Sequence, residues 1–331
     1  MPVTIDFLLF CLLLCFPHQQ ASNSSAFNSD PKNCSGRDFG VREVLVIGDK
    51  SDNWILNAHG ISGLPDGSLL VSDKLDYKVK RFDRKGRKIA EVGKRGKGAG
   101  EFRGPGPIDV YNNIIAVADF ASPRIQIFSS DLTHKSAFYA PGAVFDLNFD
   151  PEGYLWLGAL TGQEGQSLLK CDIAGKVIQT ISLQISSGDD IEDIFSLDIS
   201  QSGDIIVAYG CLNRIEIWDI RGKFKNRFEV AGIPLRPPKK TISKGLFSKG
   251  VTVPEGNIFQ SAAVDPKGNI FVLASDYTDQ PNRDVYVFDS QGKYVSQFTL
   301  PTAASHLWIS AQGDLYTIDT ERTLVRKYHI D

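Results

Sequence analysis

One short unit recurs along this chain and limits what it can become. Each copy holds a tight turn, an apolar run of about five residues, a polar loop and a second strand-like stretch. The first copy opens at Pro65-Asp66-Gly67 and runs through SLLVSD into YKVKRF. Later copies open at Asn112-Asn113 (IIAVAD), Pro151-Glu152-Gly153 (YLWLG), Gln201-Ser202-Gly203 (DIIVAYG), Pro266-Lys267-Gly268 (NIFVLAS) and Ala311-Gln312-Gly313 (DLYTID). Aligned on Gly67, Asn113, Gly153, Gly203, Gly268 and Gly313, the copies are spaced by 46, 40, 50, 65 and 45 residues. A unit of this length cannot bury its own apolar run, so neighbouring copies must stack to cover it.

The local pattern of each copy says what stacks. A turn closed by Gly supplies the positive φ that lets one strand reverse into the next. The run after it (LLV, IIAV, YLWL, IIV, IFVL) is apolar at consecutive positions, as in a strand buried on both faces. The third strand alternates, as at Ile125, Ile127 and Ile215, Ile217, which predicts that it is only half covered. Periods of 40 to 50 residues match one four-stranded blade each. The expected fold is therefore all-β, a six-bladed β-propeller. The sixth copy ends at Asp331 after its third strand, while residues 41–47 (VREVLVI) form a strand pattern with no blade of their own. The N-terminal strand 41–47 should therefore complete the last blade and close the ring, leaving no open edge. The stretch 233–250, with its prolines and lysines, reads as a surface insertion.

Residues 7–16, FLLFCLLLCF, are apolar but too short to span a bilayer, and polar residues follow at once. This marks residues 1–21 as a signal peptide, although no Lys or Arg precedes the run. Residues 22–40 read as a flexible tether and 41–331 as the propeller. Export to a secreted, periplasmic or cell-surface location follows, and a lipid anchor at Cys15 is the one route to a membrane left open. Asn23 and Asn33 begin glycosylation triplets, which matter only in a eukaryotic secretory host. Cys34, Cys171 and Cys211 would remain after cleavage, allowing at most one internal disulfide. Their spacing fits no zinc cluster, and Cys171 and Cys211 read as small buried hydrophobes. A formal net charge of -3 gives no reason to expect nucleic acid as partner.

The crossing loop VGKRGKGAGEFRGPGPIDV (92–110) and the following IIAVADFASPRIQIFSSD resemble the repeat of NHL-type propellers. The matching residues are Gly93, Gly96, Gly100, Glu101, Phe102, Pro107, Ala118, Asp119, Arg124, Ile125 and Phe128, with a partial second match at Asn213 to Trp218. The resemblance covers about residues 41–331 and is similar in kind to secreted bacterial six-bladed propellers. It implies the fold. Scaffolding proteins, lactonases, lyases and strictosidine-synthase-like enzymes all share that scaffold, so it leaves the activity open.

Ligands of such folds meet the mouth of the central channel, where each innermost strand begins. Counting seven residues back from each turn gives Gly60, Gly106, Asp146, Ser196, Ser261 and His306; eight back gives His59, Pro105, Phe145, Phe195, Gln260 and Ser305. His59, Asp146, Ser196, Ser261 and His306 are thus the expected ligand-binding residues. His59 and His306 come from adjoining blades of a closed ring. With Asp146 they are the candidates for a divalent metal in the central channel, or for general-base chemistry. His59-Gly60 resembles the channel histidine of amidating and virginiamycin-type lyases. Those families repeat it in several blades, whereas Pro105, Phe145, Phe195 and Gln260 stand here. No gluconolactonase-like Glu, Asn, Asn, Asp set is visible. Asp73, Asp119 and Asp319 end second strands and should bind loop backbone; Asp150, Asp198 and Asp265 should initiate turns. Arg124 and Arg214 should bridge neighbouring blades. The basic, Gly-rich 93–104 loop lacks the Lys-Ser/Thr and helix of a phosphate cradle. The reading favoured by the sequence is an exported binding or scaffold module for a protein, peptide or glycan at the mouth and the loops 74–78, 120–123, 159–167 and 275–284. The alternative is a metal-dependent hydrolase or lyase centred on the channel.

Overall fold

The computed structural model describes residues 27–29, 40–48, 54–161, 165–183, 195–230, 240–243, 251–254, 258–274 and 282–330. The expected signal peptide 1–21, Cys15, Asn23, Asn33, Cys34, most of the expected tether 22–40 and much of the expected insertion 233–250 lie outside these residues. So do 162–164 and 275–281 of the loops expected at the mouth.

Six four-stranded antiparallel sheets follow one another along the chain. Innermost strand first, the first blade is Ala58–Gly63, Leu69–Asp73, Lys78–Phe82 and Lys88–Val92. The second is Pro105–Tyr111, Ile114–Asp119, Arg124–Ser129 and His134–Tyr139, and the third is Ala143–Phe149, Leu155–Thr161, Gly165–Cys171 and Val177–Ser182. The fourth is Phe195–Ile199, Asp204–Tyr209, Ile215–Asp219 and Phe224–Val230, and the fifth is Phe259–Val264, Ile270–Ala274, Asp284–Phe288 and Tyr294–Thr299. Ala304–Ile309, Leu315–Asp319 and Val325–Ile330 make the sixth, whose outer strand is Val41–Ile47. That strand pairs antiparallel from Val41 opposite Ile330 to Ile47 opposite Val325, so the ring closes as the strand pattern demands. Each innermost strand neighbours the next, and the sixth neighbours the first.

The second strands are buried on both faces, as their consecutive apolar residues require: Leu70, Val71, Ile115, Val117, Leu155, Leu157, Ile205, Val207, Ile270 and Val272 are inaccessible. The third strand of the second blade departs from expectation. Arg124, Ile125, Gln126, Ile127 and Phe128 are all buried, because blades stack face to face across three strands. Regular exposure there begins at the fourth strand, His134–Tyr139, whereas the third strands of the fifth and sixth blades expose Asp284 and His329. Polar groups caught in third strands therefore carry partners: Lys80 Nζ lies 2.8 Å from Asp73 and Lys170 Nζ 3.0 Å from Asp150. Cys171 and Cys211 are buried thiols.

The repeat turns hold the glycines at positive φ, from +80° at Gly67 to +86° at Gly268. In the second blade the positive φ falls on Asn112, at +52°, one residue before the position aligned by sequence. That blade reverses in a two-residue turn, in which an Asn tolerates the left-handed region. Two further additions appear. Residues 240–243 pair antiparallel with 251–254, and Phe27–Ser29 pair in parallel with Phe228–Val230.

Ile47 is 1% exposed in the core between the last blade and the first. Ile47→Ala should cost about 2–4 kcal/mol, seen as a lower urea midpoint, and removal of residues 41–47 should abolish cooperative unfolding, because the whole outer ladder of the closing blade goes with them.

Candidate functional site

An innermost strand has a ladder partner on one side only. Its other edge faces the preceding blade across the wall of the channel, where backbone amides need acceptors. Side chains of the preceding blade supply them. Asp109 Oδ2 accepts from Phe149 N at 2.8 Å and its Oδ1 from Ser62 Oγ at 2.9 Å, tying three blades together. Asp146 Oδ2 accepts from Leu197 N at 2.7 Å, and Asp198 Oδ2 from Val264 N at 2.7 Å. Ser196 Oγ accepts from Ala262 N at 3.0 Å and Ser261 Oγ from Leu307 N at 3.0 Å. Between the first two blades, Ser72 Oγ donates to Gly106 O at 2.5 Å.

The last junction is built differently. Trp308 packs against Gly63, where an added Cβ would stand 2.5 Å from the indole. Arg322 accepts from Ala58 N through its carbonyl at 2.7 Å, and its guanidinium lies 3.4 Å from Ala58 O.

Two openings meet inside the ring. One is a cavity of about 280 Å³ at the end where the innermost strands begin, lined by His59, Asp146, Ser196, His306, Phe145, Phe195, Gln260, Ser305 and Arg322 among others. The other, about 410 Å³, lies among the repeat turns, with Gly67, Asn112, Gln201, Pro266 and Gln312 in its wall. Asp109, Asn148, Asp198 and Trp308 line both and so mark the waist between them.

Four of the five expected ligand-binding residues, His59, Asp146, Ser196 and His306, line the first cavity. Ser261 does not; it is fully buried between the fifth and sixth blades and stands 3.4 Å from His306 Nδ1. Residues from two consecutive positions share the lining because most innermost strands carry a β-bulge. The register shifts across His59, Phe145, Gln260 and Ser305, so each is the extra residue that the bulge turns toward the opening. The fourth blade has no such shift. Among the described residues, no three His, Cys, Asp or Glu side chains are grouped closely enough to share a metal ion.

Sequence reasoning missed the waist. Asp109 and Asp198 lie one layer deeper than the count from the turns reached, at the same depth as Asn148 and Trp308. Asp198, expected to initiate a turn, instead laces the fourth blade to the fifth; Ser200 takes the turn role, accepting from Asp204 N. The alternation of Asp109, Asp146 and Asp198 along three consecutive innermost strands was the available signal. Asp150 and Asp265 do hold turns, accepting from Tyr154 N and Asn269 N. Asp73 and Asp119 reach back to the loops entering their own blades, at Leu56 N and Arg103 N. Asp319 binds the turn after it, at Thr323 N and Leu324 N. Arg124 clamps the Gly-rich crossing loop through Lys97 O, Gly98 O and Glu101 O. Arg214 lies 4.1 Å from the Tyr209 ring of its own blade.

Electrostatics divides the cavity in two. Burial pushes Asp109 up to about 6 and Asp146 and Asp198 up to about 7, and the neighbouring carboxylates add to the last two. Burial pulls His59 down to about 3 and His306 to about 4, with the charge of Arg322 next in both. Both histidines are therefore neutral at pH 7. The two sets act in opposite directions on stability. The folded carboxylates hold protons that the unfolded chain releases above about pH 4, so their contribution falls as pH rises toward 7. The folded histidines refuse protons that the unfolded chain binds below about pH 6.5, so theirs falls as pH drops. Between pH 6.5 and 8 the three carboxylates, which titrate in the folded state, outweigh the two histidines, whose unfolded-state protons leave mainly at the lower end of that window. Urea midpoints should therefore decline from pH 6.5 to 8, and Asp198→Asn should flatten that decline by about 1 kcal/mol while leaving a fold of unchanged circular dichroism.

Three solved structures with this arrangement are informative about the scaffold. A Bacteroides fragilis protein described as exported aligns with a TM-score of 0.61 and 13% identity, over 92% of this chain and 99% of its own. Virginiamycin B lyase from Staphylococcus aureus, determined with quinupristin, aligns at 0.56 and 12% identity, over 88% and 100%. The WD40 propeller domain of Doa1 aligns at 0.54 and 14%, over 88% and 97%. At these identities the likeness is one of fold. No curated protein sequence matches the chain. A family model does match, over residues 50–221, which is more than half of the chain. The chain accordingly belongs to the DUF5128 family of 6-bladed beta-propellers.

Proposed function

We propose that this propeller is an exported binding module of NHL type, seating its ligand in the cavity where the innermost strands begin. The observation that carries the reading is the contrast between the two ends of the channel. At the first end, Trp54, Leu56, Leu75 and Phe120 stand out as exposed apolar side chains on loops that enter or leave the inner strands. Phe120 lines the cavity together with Phe145 and Phe195 of the third and fourth blades, which meet edge to face at 4.7 Å. The other end is made of short Gly, Asn and Pro turns that close on themselves by backbone hydrogen bonds, such as Gly67 N to Leu64 O and Gly153 N to Asp150 O. Apolar side chains held exposed around a concave opening are what a recognition surface needs, whereas self-satisfied turns offer a partner little.

The NHL assignment rests on the crossing loop. Arg124 and Gln126 hold it by its carbonyls, and Glu101 Oε2 accepts from Gly98 N. Each conspicuous residue of that repeat thus has a structural task, which leaves recognition to the mouth. Export is supported by the apolar run 7–16 and by the likeness to a protein described as exported.

Hydrogen exchange with pooled peptides and oligosaccharides tests the site. Protection should appear in 54–60, 118–122 and 304–307 and vanish in Phe145→Arg. Protection confined to 64–68, 150–154 and 200–204 would place recognition at the opposite end and refute the proposal.

A further inference from the structure

The seam between the sixth blade and the first concentrates positive charge that nothing in the described protein neutralises. Lys74 follows the second strand of the first blade, and Arg322 sits in the turn before the third strand of the sixth. Neither makes an ion pair with a carboxylate among the described residues, although buried or half-buried cations elsewhere do, including Lys80, Lys170 and Arg124. Lys74 Nζ rests 3.7 Å above the Phe120 ring. The Arg322 guanidinium makes one long contact, 3.4 Å to Ala58 O. Burial and the Arg322 charge lower the proton affinities of Lys74, His59 and His306 alike, so these groups share one neighbourhood.

A second observation points the same way. His59 Nδ1 is shut off from solvent and has no hydrogen-bond partner among the described residues. Its ring lies 5.0 Å from Phe120. His59 is the bulge residue of its strand, so the backbone has been distorted to place this ring at the mouth. Two cations without counter-ions, beside a buried imidazole whose Nδ1 has no partner among the described residues, leave positive charge unmatched in this neighbourhood.

We infer that the cavity beside the seam receives a carboxylate attached to an apolar body, with Arg322 of its wall and Lys74, poised over the Phe120 ring at its edge, holding the anion and Phe120, Phe145 and Phe195 covering the rest. This rests on the reading of the mouth as a binding surface and gives its ligand a chemical class. The charge number follows from the far wall. Asp109, Asp146 and Asp198 begin to carry charge near neutral pH, and a dianionic phosphate would meet them across a cavity of about 280 Å³. A monoanion is matched by the near wall with much less repulsion. That volume suits a small organic acid or the terminal residue of a peptide, and the two sources share the same chemistry.

The test uses 3-phenylpropionate and its neutral isostere 3-phenylpropionamide, with a tetrapeptide ending in Phe as the free acid and as the amide. Binding is followed by calorimetry and by amide chemical shifts near residues 59, 74, 120 and 322. The acid should bind at least tenfold more tightly than the amide, and Arg322→Gln and Lys74→Gln should each remove most of that preference. Lys74→Gln guards against loss of fold, since the Lys74 side chain makes no hydrogen bond among the described residues. Preference for the peptide acid over the small acid would identify a chain terminus as the source; the reverse would identify a free organic acid. Equal binding of acid and amide, shifting the same resonances, would overturn the charge assignment while leaving the mouth as a binding surface. Failure of all four probes to shift any resonance there would overturn both.

Discussion

The inner edge of each blade sets the central problem of this molecule. A propeller blade ends at the channel in a strand with one unpaired edge, and adjacent inner strands splay too far apart to share a ladder. Buried backbone amides left without acceptors cost free energy comparable to a lost hydrogen bond. Here the amides of Phe149, Leu197, Val264 and Leu307 are each accepted by a side chain from the blade before. The same bonds join the blades into a ring, so satisfaction of the edge and assembly of the disc are one event.

That solution has an electrostatic consequence. Three of the acceptors are carboxylates, and burying them makes their charge costly, which raises their proton affinities. The acidic wall therefore spans the second to fourth blades because lacing is done there by Asp. Toward the fifth and sixth blades, Ser196 and Ser261 take the role with no charge. At the closing seam a Trp308–Gly63 contact and the Arg322 backbone, with a long contact from its guanidinium, take the place of side-chain acceptors. The carboxylates nearest the seam in sequence, Asp73 and Asp319, are taken up by loop amides and by Lys80, and neither carboxylate pairs with Lys74 or Arg322. The cavity's polarity follows from how the ring is closed.

Much of this was legible in the residues. The turn glycines and the apolar runs after them specify six blades, and the orphan strand 41–47 specifies closure. Those features survive because each copy must meet the same local demands. Counting from the turns brought His59, Asp146, Ser196 and His306 to one opening, but it could not see the bulges that let neighbouring positions face it together. A bulge is set by register between strands, and sequence spacing within one strand carries no record of it. Ser261 illustrates the limit: its position in the count matches His306, yet the pleat turns it into the blade interface. Asp198 illustrates another, since an Asp near a turn is usually explained by the turn, and here Ser200 had already taken that task. The third strand of the second blade is covered from Arg124 to Phe128 and escapes the pattern for a different reason, because alternation of residue type does not show how far the next blade extends.

Site-resolved amide exchange on the intact protein measures the lacing most directly. The account predicts that Phe149, Leu197, Val264 and Leu307 exchange as slowly as amides within the second strands, and that Asp146→Asn speeds Leu197 alone among them. If these four amides exchanged at the rate of exposed loops in the folded protein, the inner edges would be open to water, and the account of how the ring holds together would be wrong.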